Sequence, residues 1–277
     1  MIWRCLDRVL DLSHRGEVMG IVNVTPDSFS DGGQFATVEA AVAQAKHLIS
    51  EGAALIDVGG ESTRPGAAAV DEDEERRRVL PVIARLAAEH PDTLLSIDTC
   101  KAGVASAAID AGARVVNDVR GFRDPEMVAV AAGSDAGLVV MHMRGTPRTM
   151  QEEPVYEDLR GEIVAFFQSR YEALLAAGVD RERIVFDPGI GFGKTLEHNL
   201  SILRELDRYT VDGRPILLGV SRKSFLGKLT GEKSVEQRDW ATVAVTAHAR
   251  EQGVLLHRVH EVRPNLEALR MAEAILR

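Results

Sequence analysis

Cysteine is scarce in this chain of 277 residues: only Cys5 and Cys100 occur, without C-x-x-C spacing. That excludes a disulfide framework and a cysteine-ligated zinc site, and both read as reduced, structural thiols. Long apolar runs are missing as well. No stretch of eighteen apolar residues exists, and the opening MIWRCLDRVLDLSHRG places Arg4, Asp7, Arg8 and Asp11 where a secretion signal needs continuous apolar sequence. A cytoplasmic location is the expectation. Positive charge is in deficit, with a net charge of −9 and a pI near 5.4. This argues against a broad nucleic-acid surface and leaves room for a local basic pocket that takes a small anion. No Pro/Ser-rich or low-complexity segment divides the chain, and residues 1–277 read as one domain.

What is present is a regular alternation. Hydrophobic residues make up 45% of the chain, enough to bury a full core. Eight short apolar runs stand out: VMGIVNV (18–24), ALIDVGG (54–60), LLSID (94–98), RVVND (114–118), GLVVMH (137–142), RIVFD (183–187), PILLGV (215–220) and VLLHRVH (254–260). Helical patterns separate them, among them 38–50, 72–89, 101–111, 158–177 and 235–252. Runs apolar on both faces imply a parallel sheet covered by helices. Periodicity leaves an open doubly wound sheet and a closed barrel both standing; eight strand-helix units in about 250 residues tilt the expectation to a single-domain (β/α)8 TIM barrel.

Almost every apolar run ends in a residue that is costly to bury: Asn23, Asp57, Asp98, Asn117 with Asp118, His142, Asp187, then Ser221 to Ser224, and Arg258 with His260. Run starts show nothing comparable. Helix capping accounts for any one of these, but a series mixing amide, carboxylate, imidazole and guanidinium is better explained by one pocket at the C-terminal face of a barrel. The glycine-rich DPGIGFGKT (187–195) fits neither nucleotide motif: Pro188 replaces the first glycine of a phosphate loop, and Lys194 the third glycine of a dinucleotide fingerprint. Its glycines suit close approach to a flat ligand, with Phe192 either touching that ligand or packing under a loop. GVSRKSFLG (219–227) sets cations and hydroxyls at a helix start, an arrangement suited to an anion beside Ser224, although Arg222 and Lys223 are equally read as solvated charges. In RVH, alternation sends Arg258 and His260 to the same side. DEDEERRR (71–78) reads as a solvated helix face without a function.

Taken together, GIVNVTPDSFSDGG, IDVGGESTRPGA, SIDT, VND, DPGIGFGK, LLGVSRKSFLG and RVHEV resemble the dihydropteroate synthase family, in the family's order from about residue 17 to the C-terminus. The resemblance implies a transferase of folate biosynthesis. It would join 4-aminobenzoate to 6-hydroxymethyl-7,8-dihydropterin diphosphate, giving 7,8-dihydropteroate and pyrophosphate, by pyrophosphate departure and then arylamine attack. It implies catalytic roles for Asp98, Asp187, Lys223 and Arg258, and a pterin site of Asp98, Asn117, Asp187, Phe192, Gly219 and Lys223. A diphosphate site of Asn23, Ser62, Thr63, Arg64, Arg258 and His260 follows, with Asn23 also a ligand of Mg2+. The aminobenzoate would meet Phe29, Thr63, Pro65 and Ser224. NVTPDSFSDGG and STRPGAAA look like the family's two mobile loops, with Phe29 and Asp31 reaching the site on closure. Expected besides are a homodimer through outer helices and sulfonamides as mimics of aminobenzoate. A methyltetrahydrofolate–corrinoid methyltransferase barrel or a non-catalytic pterin binder would share part of this set. One departure is Glu261, where the family commonly has Asp.

Overall fold

The computed structural model describes residues 1–25, 33–62, 66–67, 69–145, 150, 154–232 and 234–276, with the side chains of 33–36 set aside. Phe29, Asp31, Thr63, Arg64 and Pro65 therefore lie outside the described residues.

The chain opens with an antiparallel hairpin, β1 (Ile2–Cys5) and β2 (Arg8–Asp11). Eight parallel strands follow: β3 (Glu17–Asn23), β4 (Leu55–Gly59), β5 (Leu94–Asp98), β6 (Val115–Asp118), β7 (Gly137–Met141), β8 (Ile184–Asp187), β9 (Leu217–Leu218) and β10 (Leu256–Val259). Each pairs with its neighbour in chain order except across β8 and β9, while β10 lies between β9 and β3. The remaining seam is closed by Phe186, whose N–H donates to the Pro215 carbonyl at 3.0 Å, and by a parallel bridge from Phe186 to Ile216. The run 215–220 thus supplies a strand of only two residues plus that bridge. Among the described residues, nine helices wrap the barrel: α1 (Gly33–Ser50), α2 (Glu72–Glu89), α3 (Ala102–Asp110), α4 (Pro125–Gly133), α5 (Leu159–Ala176), α6 (Leu196–Arg204), α7 (Ser224–Thr230), α8 (Asp239–Glu251) and α9 (Val262–Ile275). Local chemistry starts several of them. Asp71, Asp124 and Asp158 accept backbone N–H bonds at the heads of α2, α4 and α5, and Thr195 with His198 forms a reciprocal cap on α6.

A strand's side chains alternate between its two faces, so the barrel interior is built in layers two residues apart. The lowest layer, Met19, Leu55, Leu94, Val115, Val139, Val185, Leu217 and Leu256, is apolar and buried. Trp3, Cys5 and Leu12 of the hairpin region join this same cluster and plug the N-terminal end. Two buried arginines fasten the plug from the strand starts, where the sequence suggested nothing polar of note. Arg183 donates to the carbonyls of Ala136 and Ala131 while its own carbonyl accepts from Trp3 Nε1 at 2.9 Å, and Arg214 reaches the Ile2 carbonyl at 2.8 Å.

Candidate active site

Two residues further along each strand, the interior changes character. The next layer holds Ile21, Asp57, Ser96, Asn117, Met141, Asp187, Gly219 and Arg258; above it stand Asn23, Gly59, Asp98, Val119 and His260. Asp57, wholly buried, joins the polar members of the lower layer. Its Oδ2 accepts from Asn117 Nδ2 at 3.0 Å and from Arg258 Nε at 2.6 Å, and its Oδ1 accepts from the Ser96 hydroxyl. Arg258 bridges upward, donating through Nη2 to Asp98 Oδ2 at 2.8 Å. The absence of side chains at Gly59 and Gly219 leaves space in this ring. A methyl carbon on Gly219 would lie 3.6 Å from Asp187 Oδ2 and 3.9 Å from Arg258 Cβ; one on Gly59 would lie 3.7 Å from Asp98 Oδ2 and 3.8 Å from Asn23 Oδ1.

Asp187 accepts from the Gly189 N–H at 2.7 Å, which starts the glycine-rich turn after β8. Lys223 comes down from the turn before α7, donates to the Ile190 carbonyl, and holds its ammonium 4.5 Å from the centre of the Phe192 ring. Phe192 thus carries a cation at its ring face, and Lys223 is engaged within the protein rather than left as a solvated charge. An apolar wall of Val119, Met141, Met143 and Met150, with Cys100 and Phe192 against it, lines one side of the mouth. Nothing in the sequence singles out these methionines, because thioethers at loop starts carry no motif.

Low dielectric shapes the titration of the ring. Burial raises Asp98 to about 7, with Arg258 opposing and Asp57 reinforcing the shift. Burial also raises Asp187, against the pull of Lys223, and lowers Lys223 to about 8. Burial works against the charge of Arg258, but Asp57 and Asp98 outweigh it and hold the guanidinium firmly protonated. Hydrogen-bonding capacity is left over: among the described residues Asp98 Oδ1, Asp187 Oδ2, Asn117 Oδ1 and Arg258 Nη1 have no protein partner.

At the rim, the Ser221 hydroxyl accepts the His260 backbone N–H at 3.1 Å and lies 2.9 Å from Nδ1 of the same residue. With the hydroxyl hydrogen given to Nδ1, the proton of a neutral imidazole sits on Nε2, a donor suited to an anion. Ser62 is half-buried, and Ser224 is exposed as the first residue of the seven-residue α7.

Some members of the polar series point elsewhere, as strand alternation dictates. Asp118 faces away from the barrel and caps the following turn through the N–H groups of Arg120 and Phe122, at 2.8 and 2.7 Å. His142 also turns outward, against Phe166 and Lys194. Arg222, with a left-handed backbone (φ 59°), is bound to Asp239 and, at 2.7 Å, to Glu261, which gives the departing glutamate a structural contact. DEDEERRR is only partly solvated: Glu75 is fully buried and pairs with Lys101, which also holds Glu61, and Glu61 in turn accepts from the Val70 N–H at 3.2 Å. Two open crevices, lined by Ser13, His14, Arg250, Glu273 and Leu276 and by Arg144, Val155 and neighbours on α5, include none of the ring residues.

Buried acceptors, an apolar wall and cations at one end suit a flat heterocycle with N–H donors that carries an anionic tail. The family described as pterin binding enzyme matches residues 19–260. A dihydropteroate synthase of Synechocystis sp. is 44% identical over 270 residues, covering 97% of this chain and 93% of the relative. The dihydropteroate synthase of Xanthomonas albilineans, solved with 4-aminobenzoic acid, superposes with a TM-score of 0.92 at 46% identity, covering 99% of this chain and 98% of that one. The same enzyme in complex with 7,8-dihydropteroate gives a TM-score of 0.89 at 44% identity, with 98% of each chain covered.

Proposed function

The chain belongs to the dihydropteroate synthase family, and on that premise we propose how its barrel divides the condensation of 4-aminobenzoate with 6-hydroxymethyl-7,8-dihydropterin diphosphate. The observation that carries the assignment is the inversion of the interior: above an apolar floor, Asp98, Asn117, Asp187, Lys223 and Arg258 gather, with acceptors and donors left over on Asp98, Asn117, Asp187 and Arg258.

The pterin edge takes the open oxygens of Asp187, Asp98 and Asn117, with Lys223 completing the set and Gly219 leaving room beneath. Its face lies against Phe192 and the Val119–Met141 wall. An analogue without those N–H groups would leave buried acceptors unpaired, which is a strong basis for selectivity. The diphosphate sits outward, at Arg258 Nη1, His260, Ser62 and Asn23, with Thr63 and Arg64 assigned to the same anion. Carboxylates held near the pterin methylene stabilise positive charge as the pyrophosphate leaves, and Arg258 stabilises the departing negative charge. Aminobenzoate then attacks through its unprotonated amine, its carboxylate near Ser224 and its ring beside Phe29, Thr63 and Pro65. Catalytic weight thus falls on Asp98, Asp187, Lys223 and Arg258.

Magnesium fits the donor set. Asn23 offers one hard amide oxygen beside Asp98, and no group of three His, Cys, Asp or Glu side chains that could hold a metal exists among the described residues. An ion that keeps most of its waters and takes diphosphate oxygens needs no more from the protein. When bound, it would neutralise charge on the leaving group.

The reading extends to one cytoplasmic domain that assembles as a homodimer and takes sulfonamides in place of aminobenzoate. No helix among the described residues is long and apolar enough to cross a membrane. Trp240, Met271 and Ile275, exposed on the outer helices α8 and α9, support the dimer. A pyrophosphate-release assay tests the condensation: sustained release is expected with both substrates present and to fall on chelation, returning with Mg2+. Methyl transfer to a corrinoid, or pterin binding with no release, would favour the rival readings and overturn this one.

A further inference from the structure

Lys194 is the one ammonium of the glycine-rich motif that the mechanism does not use, and it is 2% exposed. Its Nζ donates to the Gly189 carbonyl at 3.0 Å and the Phe192 carbonyl at 3.1 Å, and lies 3.0 Å from His142 Nδ1. The turn 189–193 is thus folded around one buried amine. Three of its N–H groups are bonded inside the protein as well, Gly189 to Asp187 Oδ1 at 2.7 Å, Gly191 to Asn199 Oδ1 at 2.7 Å and Phe192 to the Gly189 carbonyl at 3.0 Å. Tyr156 OH holds the Gly193 carbonyl at 2.8 Å. The turn also sits tightly on the end of β7. Gly189 and Gly193 have φ of 65° and 64°, and a methyl carbon on either would collide with the carbonyls of His142 and Arg144.

What this turn presents to the pocket is the aromatic face and the seat of the lysine. Lys223 donates to the Ile190 carbonyl, its ammonium lies over Phe192, and its Cδ would be 3.2 Å from a methyl carbon on Gly191. We propose that Lys194 is a positioning residue of the pterin site: it templates the 189–193 turn from within and thereby fixes Phe192 and Lys223, without touching substrate. The inference rests on the reading of Lys223 and Phe192 as pterin contacts. Burial pushes the Lys194 amine well below its ordinary range, consistent with a group closed off from solvent.

A double-mutant cycle on the full chain tests it, using Lys194→Met, Lys223→Met and both together, with Kd for the pterin diphosphate and KM for aminobenzoate as readouts. Expected for Lys194→Met is a rise in pterin Kd of about tenfold or more with a change below about twofold in aminobenzoate KM, the scale of buried carbonyls left without their donor. The double variant should lose much less than the product of the two single losses, because Lys194 acts through Lys223. A general structural role would not produce that coupling. Multiplying losses, or an unchanged Kd in Lys194→Met, would overturn the proposal. A normal pterin Kd in Lys223→Met would show instead that the pterin assignment of Lys223 had failed, and would take this inference with it. Thermal unfolding monitors integrity; should Lys194→Met not fold, Lys194→Gln, which keeps two N–H donors on a shorter stem, goes through the same cycle under the same criteria.

Discussion

Asp98 and Lys223 illustrate how much one side chain's surroundings decide. Both belong to the same buried cluster, and burial disfavours the charge of each, bringing the acid to about 7 and the amine to about 8. In the free enzyme, pterin affinity is expected to fall below pH 7, as Asp98 takes a proton and stops accepting, and again above pH 8, as Lys223 loses one and gives up a donor. Titrations of binding against pH check this: Asp98→Asn should remove the acid limb and Lys223→Met the alkaline one. Asp98→Asn should also lower kcat/KM by about tenfold or more, the scale of one lost electrostatic contact at developing charge; near-normal kinetics would refute the role. Asp57 belongs to the same scale with a different duty. It has no edge left for a ligand, since Ser96, Asn117 and Arg258 occupy its oxygens, so it sets the geometry of residues that do.

The elements differ in what they are for. The hairpin β1–β2 closes the barrel at the end opposite the site, and its Trp3 is wholly buried among the lowest interior layer. Trp3→Ala should cost roughly 3–5 kcal/mol, the usual loss for emptying a large aromatic site, seen as a lower urea midpoint. Pterin Kd should stay within about twofold, because the apolar floor separates the plug from the ring; a large change in Kd with unchanged stability would contradict the division of labour. At the other end, short elements do the presenting. The two-residue β9 and seven-residue α7 leave the segment between them free to bring Ser221 and Lys223 to the mouth, with Ser224 following as the first residue of α7. Helix α2 anchors the start of the 61–70 segment through Glu75, Lys101 and Glu61.

For the molecule as a whole, pH acts on stability through opposing groups. Asp98 and Asp118, raised to about 7 and about 6 by burial, favour the fold as pH falls. His257, buried and lowered to about 4 from 6.5, does the reverse: the unfolded chain binds its proton first, so the stability it contributes is present above pH 6.5 and is lost as pH falls toward 4. Comparing the parent with His257→Leu isolates that contribution. The stability of the variant relative to the parent should rise by roughly 2 kcal/mol between pH 7 and 5, read from urea unfolding; a difference constant with pH would show that His257 binds its proton equally in the folded and unfolded chain. Much of this architecture was legible beforehand. The eight runs and their polar ends marked the strands and the open face, because a buried parallel strand is apolar on both sides and a loop is where chemistry can be exposed. The hairpin was not legible, since four-residue strands interrupted by Arg4 and Arg8 carry too little periodicity. By itself the sequence determined the barrel, its family and the residue types of the pocket, through local pattern and motif. Only tertiary structure decided that Asp118 and His142 turn outward, that Asp57 ties the ring together and that Lys194 disappears into its own loop. Which way a side chain faces depends on strand register and closure, and those are fixed by contacts between residues far apart in the chain.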